Sequence, residues 1–156
     1  MKTAALIIFA SMLMTSCITV EICDENSDSE LVARFKTRHD GVPADSTVSA
    51  FTMYGIREGM NDSLLYNGAS ASGFVVPLDP HHEYSRFVLN IDEQSDTLTI
   101  YQHHEIYMIS YTCGFANLFT IDHLENSNSI IKSDTVIKEM VDAVYEKNEV
   151  HIWLYL

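Results

Sequence analysis

A mainly β fold, an antiparallel β-sandwich of about seven to nine strands, is the class this sequence predicts, on three observations. Short runs of alternating apolar and polar residues recur between Leu31 and Leu156, the period-2 pattern of half-buried strands. Clusters of turn-forming residues, such as Asp40, Gly41, Val42 and Pro43, fall between those runs. A composition of 47% hydrophobic and 10% aromatic residues over 156 positions is enough to build one packed core.

The chain opens on a processing signal. Met1 and Lys2 give a short positive start, and Ala4 to Met14 is an unbroken apolar and small-residue run, of h-region length and too short to span a bilayer. It ends in Met14, Thr15, Ser16, Cys17, which is similar to a bacterial lipobox: an apolar residue, two small ones, then a cysteine. A plain secretory signal cut nearby is the alternative. The expected organisation is therefore a lipoprotein signal peptide at 1–16, a lipidated Cys17 with an acidic arm to residue 30, and a single β-sandwich domain at 31–156. The arm carries Asp24, Glu25, Asp28 and Glu30 without any apolar period.

Strands follow in order. Leu31, Ala33 and Phe35 alternate with Val32, Arg34 and Lys36, and Thr47 to Tyr54 is a second β-rich run. Gly55 to Asp62 is turn-rich; Leu64 to Tyr66 is a short apolar piece before Asn67 and Gly68. Gly73 to Leu78 contains Pro77, which belongs at a sheet edge because proline cannot donate to the ladder. Phe87, Leu89 and Ile91 form the first arm of a hairpin, Glu93 to Asp96 its four-residue loop, and Leu98, Ile100 and Tyr101 the start of its second arm. Thr97 to Tyr111 is long for one strand, so a bend or bulge near His103 and His104 is expected. Phe115 to Ile121 and Val150 to Leu156 complete the set. Between them, Val136, Ile137, Met140, Val141, Val144 and Tyr145 recur at helical spacing, so a short helix at 134–146 competes with a strand favoured by the β-branched Thr135, Val136 and Ile137.

Charge and cysteine count bound the function. Nine Lys and Arg against 22 Asp and Glu give −13, and loss of Lys2 with the signal leaves 8 against 22, or −14. Such a chain repels phosphate backbones, so nucleic acid is excluded as a partner. With Cys17 lipidated, Cys23 and Cys113 remain in an oxidising compartment. The default reading of that pair is a disulfide, with two buried free thiols as the alternative.

The lipobox, Cys23 with Asp24, the Gly73 to Leu78 strand, Cys113 with Gly114, and the closing Asn148, Glu149, Val150, His151, Ile152 stretch together resemble a family of uncharacterised lipoproteins of Bacteroidetes. The resemblance covers nearly the whole mature chain. It implies a compact β domain, a Cys23 to Cys113 bridge and an extended Thr135 to Val141, and it brings no catalytic residues.

Candidate chemistry is sparse. His81, His82 and Glu83, and His103, His104 and Glu105, have the donor types of a zinc site. A four-residue hairpin loop would set His103 opposite Arg86 and His104 opposite Ser85, leaving His82 about 10 Å along the strand. Neighbouring residues also face opposite sides, and His104 shares a face with Leu98, Ile100, Ile106 and Met108, as a core histidine would. GxSxG, HExxH and CxxC motifs are absent, as is the DxDxDG loop of a calcium site. The sequence therefore predicts neither an enzyme nor a cofactor or metal site. Tyr54, Tyr66, Tyr84, Tyr107, Tyr111 and Trp153 are candidates for a sugar-stacking platform.

The functional expectation is a membrane-anchored binding or envelope-assembly module, with a glycan-binding accessory protein second and a metal-dependent enzyme third. Six steps along the chain lead from Cys17 to Cys23, a reach of at most roughly 20 Å. The body would then sit against the lipid head groups, with its partner an envelope protein in the same membrane. Ile18, Thr19 and Val20 lack the acidic cluster that looks like a surface-export signal in this group of bacteria, which favours the periplasmic face of the outer membrane.

Overall fold

The computed structural model describes residues 29–143 and 149–156, and eleven strands lie among them. β1 (Glu30–His39) and β2 (Val42–Asp45) form a hairpin closed by Asp40 and Gly41, both at positive φ, the mirror-image turn whose twist suits a two-residue connection. β3 (Val48–Ile56), β4 (Ser63–Ala71), β5 (Gly73–Pro77), β6 (Tyr84–Ile91), β7 (Gln94–Ser110) and β8 (Gly114–Asn126) follow. β9 (Ser133–Val136), β10 (Met140–Val141) and β11 (Ile152–Tyr155) complete the described elements.

Two sheets share one core. The smaller runs β2, β1, β11, β9, with β5 also on β1; the larger runs β10, β8, β7, β6, β3, β4. Pairing is antiparallel except between β1 and β11, which are parallel. β5 takes Glu30 to Arg34 and β2 takes Lys36 to His39, so the two short strands share one edge of β1 while β11 holds the other. As expected from Pro77, β5 is an edge strand. Phe35 of β1 and Phe74 of β5 meet Phe51 of the larger sheet at ring separations of 5.3 and 5.9 Å, one apolar cluster binding both layers.

The chain changes sheets twice near Phe35, whose amide donates to Ser72 O while its carbonyl accepts from Ser46 N. Gly73 follows at once. A Cβ there would stand 2.1 Å from the Ala33 carbonyl oxygen, so only glycine lets the strand cross so close to β1. Asn67 and Gly68 do not end β4. Gly68 takes φ +62° and β4 continues to Ala71 with shifted register, the signature of a bulge.

The β6–β7 loop is shorter than expected. Ile91 pairs with Gln94, leaving a two-residue turn at Asp92 and Glu93. Asp92 takes φ +53°, a conformation aspartate tolerates. The register is thereby moved: Ser85 faces Ile100, and Arg86 faces Thr99. Asp96, assigned to the loop from sequence, is instead 1% exposed within β7. Its Oδ1 accepts from the Ser127 amide at 2.9 Å and from the Ser127 hydroxyl, and its Oδ2 from the amides of Ile130 and Ile131 at 2.8 and 2.9 Å. That carboxylate fixes the segment by which the chain leaves β8 for β9 in the other sheet. Burial opposes its ionisation, but the Ser127, Ile130 and Ile131 donors outweigh it and hold its pKa below the ordinary 3.8.

β7 is one strand of 17 residues. The expected irregularity is a register shift between Tyr101 and Gln102, where Asp122 of β8 is the extra residue. Helical spacing at 134–146 is not realised over the described part. Residues 133–136 and 140–141 are strands, the amides of Ile137 and Lys138 donate to His151 O, and β9 pairs with β11. Sheet pairing overrides the period there, in keeping with the extended segment implied by the resemblance.

Candidate binding cleft

One end of the larger sheet opens into a cleft of about 170 Å³. Its walls are the end of β3 and the following loop (Gly55 to Glu58), the start of β4 (Ser63, Leu65), the β5–β6 connection (Pro77, Asp79, His82) and the start of β6 (Tyr84 to Phe87). Asp79 organises it. Asp followed by Pro starts a turn, and Asp79 Oδ1 accepts from the His81 amide at 2.9 Å, closing the Asx turn that shapes the connection. Oδ2 accepts from Arg57 Nε at 3.1 Å and His82 Nδ1 at 3.2 Å.

The backbone of Asp79 is equally tied. Its amide donates to Ser85 Oγ at 2.8 Å, while its carbonyl accepts from Gln102 Nε2 at 3.1 Å. Gln102 Nε2 also donates to Ser85 Oγ at 2.9 Å, and Gln102 Oε1 has no partner among the described residues. Burial raises the Asp79 pKa. The His81 amide, the His82 ring and the Arg57 charge more than offset that, so the carboxyl stays below its ordinary 3.8 and is ionised near neutrality. The arrangement holds a fixed negative charge between two partly exposed cationic or titratable groups. Ser85, the buried hydroxyl beside it, already accepts from two donors.

A row of rings leaves the cleft across the outer face of the sheet. Tyr84 lies 5.9 Å from His82 and 6.4 Å from Tyr101, which stacks on His123 at 4.3 Å and 8°. Arg86 lies over the Tyr84 ring at 5.1 Å. Cross-strand pairing of Tyr84 with Tyr101, and of Tyr101 with His123, builds the row. Of the six aromatics expected to form a platform, only Tyr84 is in it. Tyr66 packs on Phe51, its hydroxyl donating to Val75 O and accepting from Val75 N, Trp153 lies under Lys36 Nζ at 4.7 Å, and Tyr111 stands at the opposite end of β7 from the β6–β7 turn.

The histidine pairs do not converge. His82 turns to Asp79, His103 to Asp122 at 3.0 Å. Among the described residues no three His, Cys, Asp or Glu side chains are grouped to hold a metal ion. His104 is exposed, not core, because β7 runs on past the end of β6. Cys113 lies in the turn joining β7 to β8; Cys17 and Cys23 fall outside the described residues. Sequence reasoning passed over Arg57, Asp79, Ser85 and Gln102, for which the one local signal was the Asp79, Pro80 turn pair.

These features define a two-sheet β protein with a polar cleft and an aromatic outer face. The chain belongs to a family of unknown function (DUF6452), whose model matches residues 47–156. The match begins after β1 and β2, although β1 is central to the smaller sheet. No curated protein and no solved structure is a match.

Proposed function

We propose that this protein is a lipid-anchored, non-catalytic binding module of the periplasmic face of the outer membrane. It engages an envelope protein in the same membrane through the Asp79 cleft, with Cys17 as the acylated residue and a Cys23 to Cys113 bridge near the anchor. The lipobox-like Met14 to Cys17 stretch and the resemblance to Bacteroidetes lipoproteins support the anchor. The observation that carries the binding role is Asp79 itself, 7% exposed, ionised, and held by Arg57, His82 and the His81 amide. A charge fixed by that many partners recognises a ligand's complementary groups at little cost in ordering, whereas a general base needs a free lone pair directed at its substrate.

A glycan ligand is the second reading, favoured by the row from His82 through Tyr84 and Tyr101 to His123. Rings presented on a rigid sheet pack against the apolar faces of sugars. Photo-crosslinking from Glu58 in intact cells tests the first reading. An adduct with one envelope protein that disappears in Arg57→Ala supports it, and an absence of protein adducts contradicts it. A glycan array probed with the purified protein and with Tyr84→Ala tests the second: binding lost in the variant would place sugar recognition on the ring row.

A further inference from the structure

We propose that the projecting end of the β7–β8 hairpin is a foot that dips into the lipid interface and holds the cleft towards the membrane. The proposal rests on the lipid-anchor reading above. Ile106, Met108 and Phe115 are 69%, 46% and 67% exposed. Met108 pairs with Phe115 and Ile106 with Asn117, so the three side chains share one face of the hairpin. By strand parity that is the face which, further back along β7, buries Leu98 and Ile100 in the core. Tyr111, at the turn, is 97% exposed. A contiguous apolar face left open in this way marks an interaction surface.

What covers it follows from where the chain arrives. Ser29 Oγ donates to the carbonyl of Asn117, so the N-terminal segment joins the body beside this same face. The residues just before it are Asp24, Glu25, Asn26, Ser27 and Asp28. None is apolar, so that stretch gives the patch no hydrophobic cover. A second copy would bring the same acidic stretch and its repulsion. Cys17 is twelve residues from Ser29, a reach of at most about 43 Å, so an acyl anchor there keeps this end of the molecule at the bilayer. Apolar and aromatic side chains on a tethered surface lie in the boundary between head groups and acyl chains. From His103 to Leu118 the only formally charged residue is Glu105, which suits zwitterionic head groups and disfavours anionic ones.

The foot also orients the site. Tyr84 pairs with Tyr101, and β7 runs on from Tyr101 to Ser110, about 30 Å along the strand. The cleft is thus at the membrane-facing end of the sandwich, within reach of a partner embedded in that bilayer.

The test uses the full lipidated protein in phosphatidylcholine vesicles containing brominated acyl chains. Wild type has one tryptophan, Trp153 in the smaller sheet, whose emission serves as baseline. Phe115→Trp adds a reporter at an exposed position and should show a blue shift with loss of most of the added emission to bromine quenching. Glu93→Trp, in the β6–β7 turn at the other end of β7, should show neither. Unquenched Phe115→Trp in protein that floats with the vesicles would overturn the foot and leave the anchor standing. Protein that does not float at all would overturn both, and a blue shift that needs protein concentration instead of lipid would assign the face to a second copy.

Discussion

Replacing Asp96 by Asn removes a charge and one acceptor while keeping shape, and the four bonds to Asp96 fix what that should cost. The single amide oxygen is best placed at the Oδ2 position, where it keeps the donors of Ile130 and Ile131, neither of which can turn away. The new NH₂ then faces Ser127. Its hydroxyl can rotate to accept; its amide loses the carboxylate oxygen at 2.9 Å but keeps the Thr97 carbonyl at 3.1 Å, a loss of about 1 kcal/mol. The two retained bonds lose charge assistance, roughly 1 kcal/mol each. Relief from burying a charge subtracts from that sum, and the expected net is about 1–2 kcal/mol of lost stability at pH 7. Urea unfolding at constant m-value measures it. The pH dependence gives a second check. The folded-state pKa lies below 3.8, so the carboxylate's contribution is complete above that value and is lost as pH falls through the folded one. Wild type and variant should therefore converge in acid. A difference below about 0.5 kcal/mol at pH 7, on the scale of ordinary surface substitutions, or a gap that persists unchanged in acid, would refute the reasoning.

Gly73→Ala should destabilise the fold by about 2 kcal/mol or more, because the added carbon meets a backbone oxygen at 2.1 Å and the strands must part; unchanged urea unfolding would show that the crossing is not tight. His151 is fully buried, and its Nδ1 accepts from the Val32 amide at 2.9 Å. Burial lowers its pKa below 6.5 against the opposing pull of Glu149 and Asp142, with Lys138 lowering it further. Its neutral form thus supports the fold fully above pH 6.5, and that support is lost as pH falls below it. The stability slope between pH 7 and 5 should be shallower in His151→Gln, and parallel slopes would exclude this histidine as the source. Non-reducing peptide mapping of protein taken from the periplasm should recover Cys23 joined to Cys113, and two free thiols there would end the bridge.

Most of the strand inventory is legible in the residues because alternation reports burial directly. Leu31, Ala33 and Phe35, and later Ile152 and Leu154, are all fully buried. What alternation does not carry is how strands meet. The parallel β1–β11 pair and the crossing at Gly73 join residues far apart in sequence, and the two-residue turn at Asp92 depended on one positive φ. The four-residue register difference moved every residue opposite β6 while leaving the inward face unchanged, so the core places of Leu98 and Ile100 survived it and histidine geometry did not. Val136 and Met140 fit a helix period, yet β11 lay ready to pair with β9, a fact outside any local window. The cleft was least legible. Arg57, Asp79 and Gln102 come from three separate segments, and their joint meaning arises only when β3, β6 and β7 are side by side.

The central claim is that the mature protein begins at an acylated Cys17 and works at the membrane. Intact-mass and tandem mass spectrometry of the N-terminal peptide from membrane-fractionated cells tests it most directly. The expected result is cleavage between Ser16 and Cys17, acyl chains on Cys17, and release or failed processing in Cys17→Ser. A retained Met1, a start at another residue, or an unmodified Cys17 in soluble protein would contradict it.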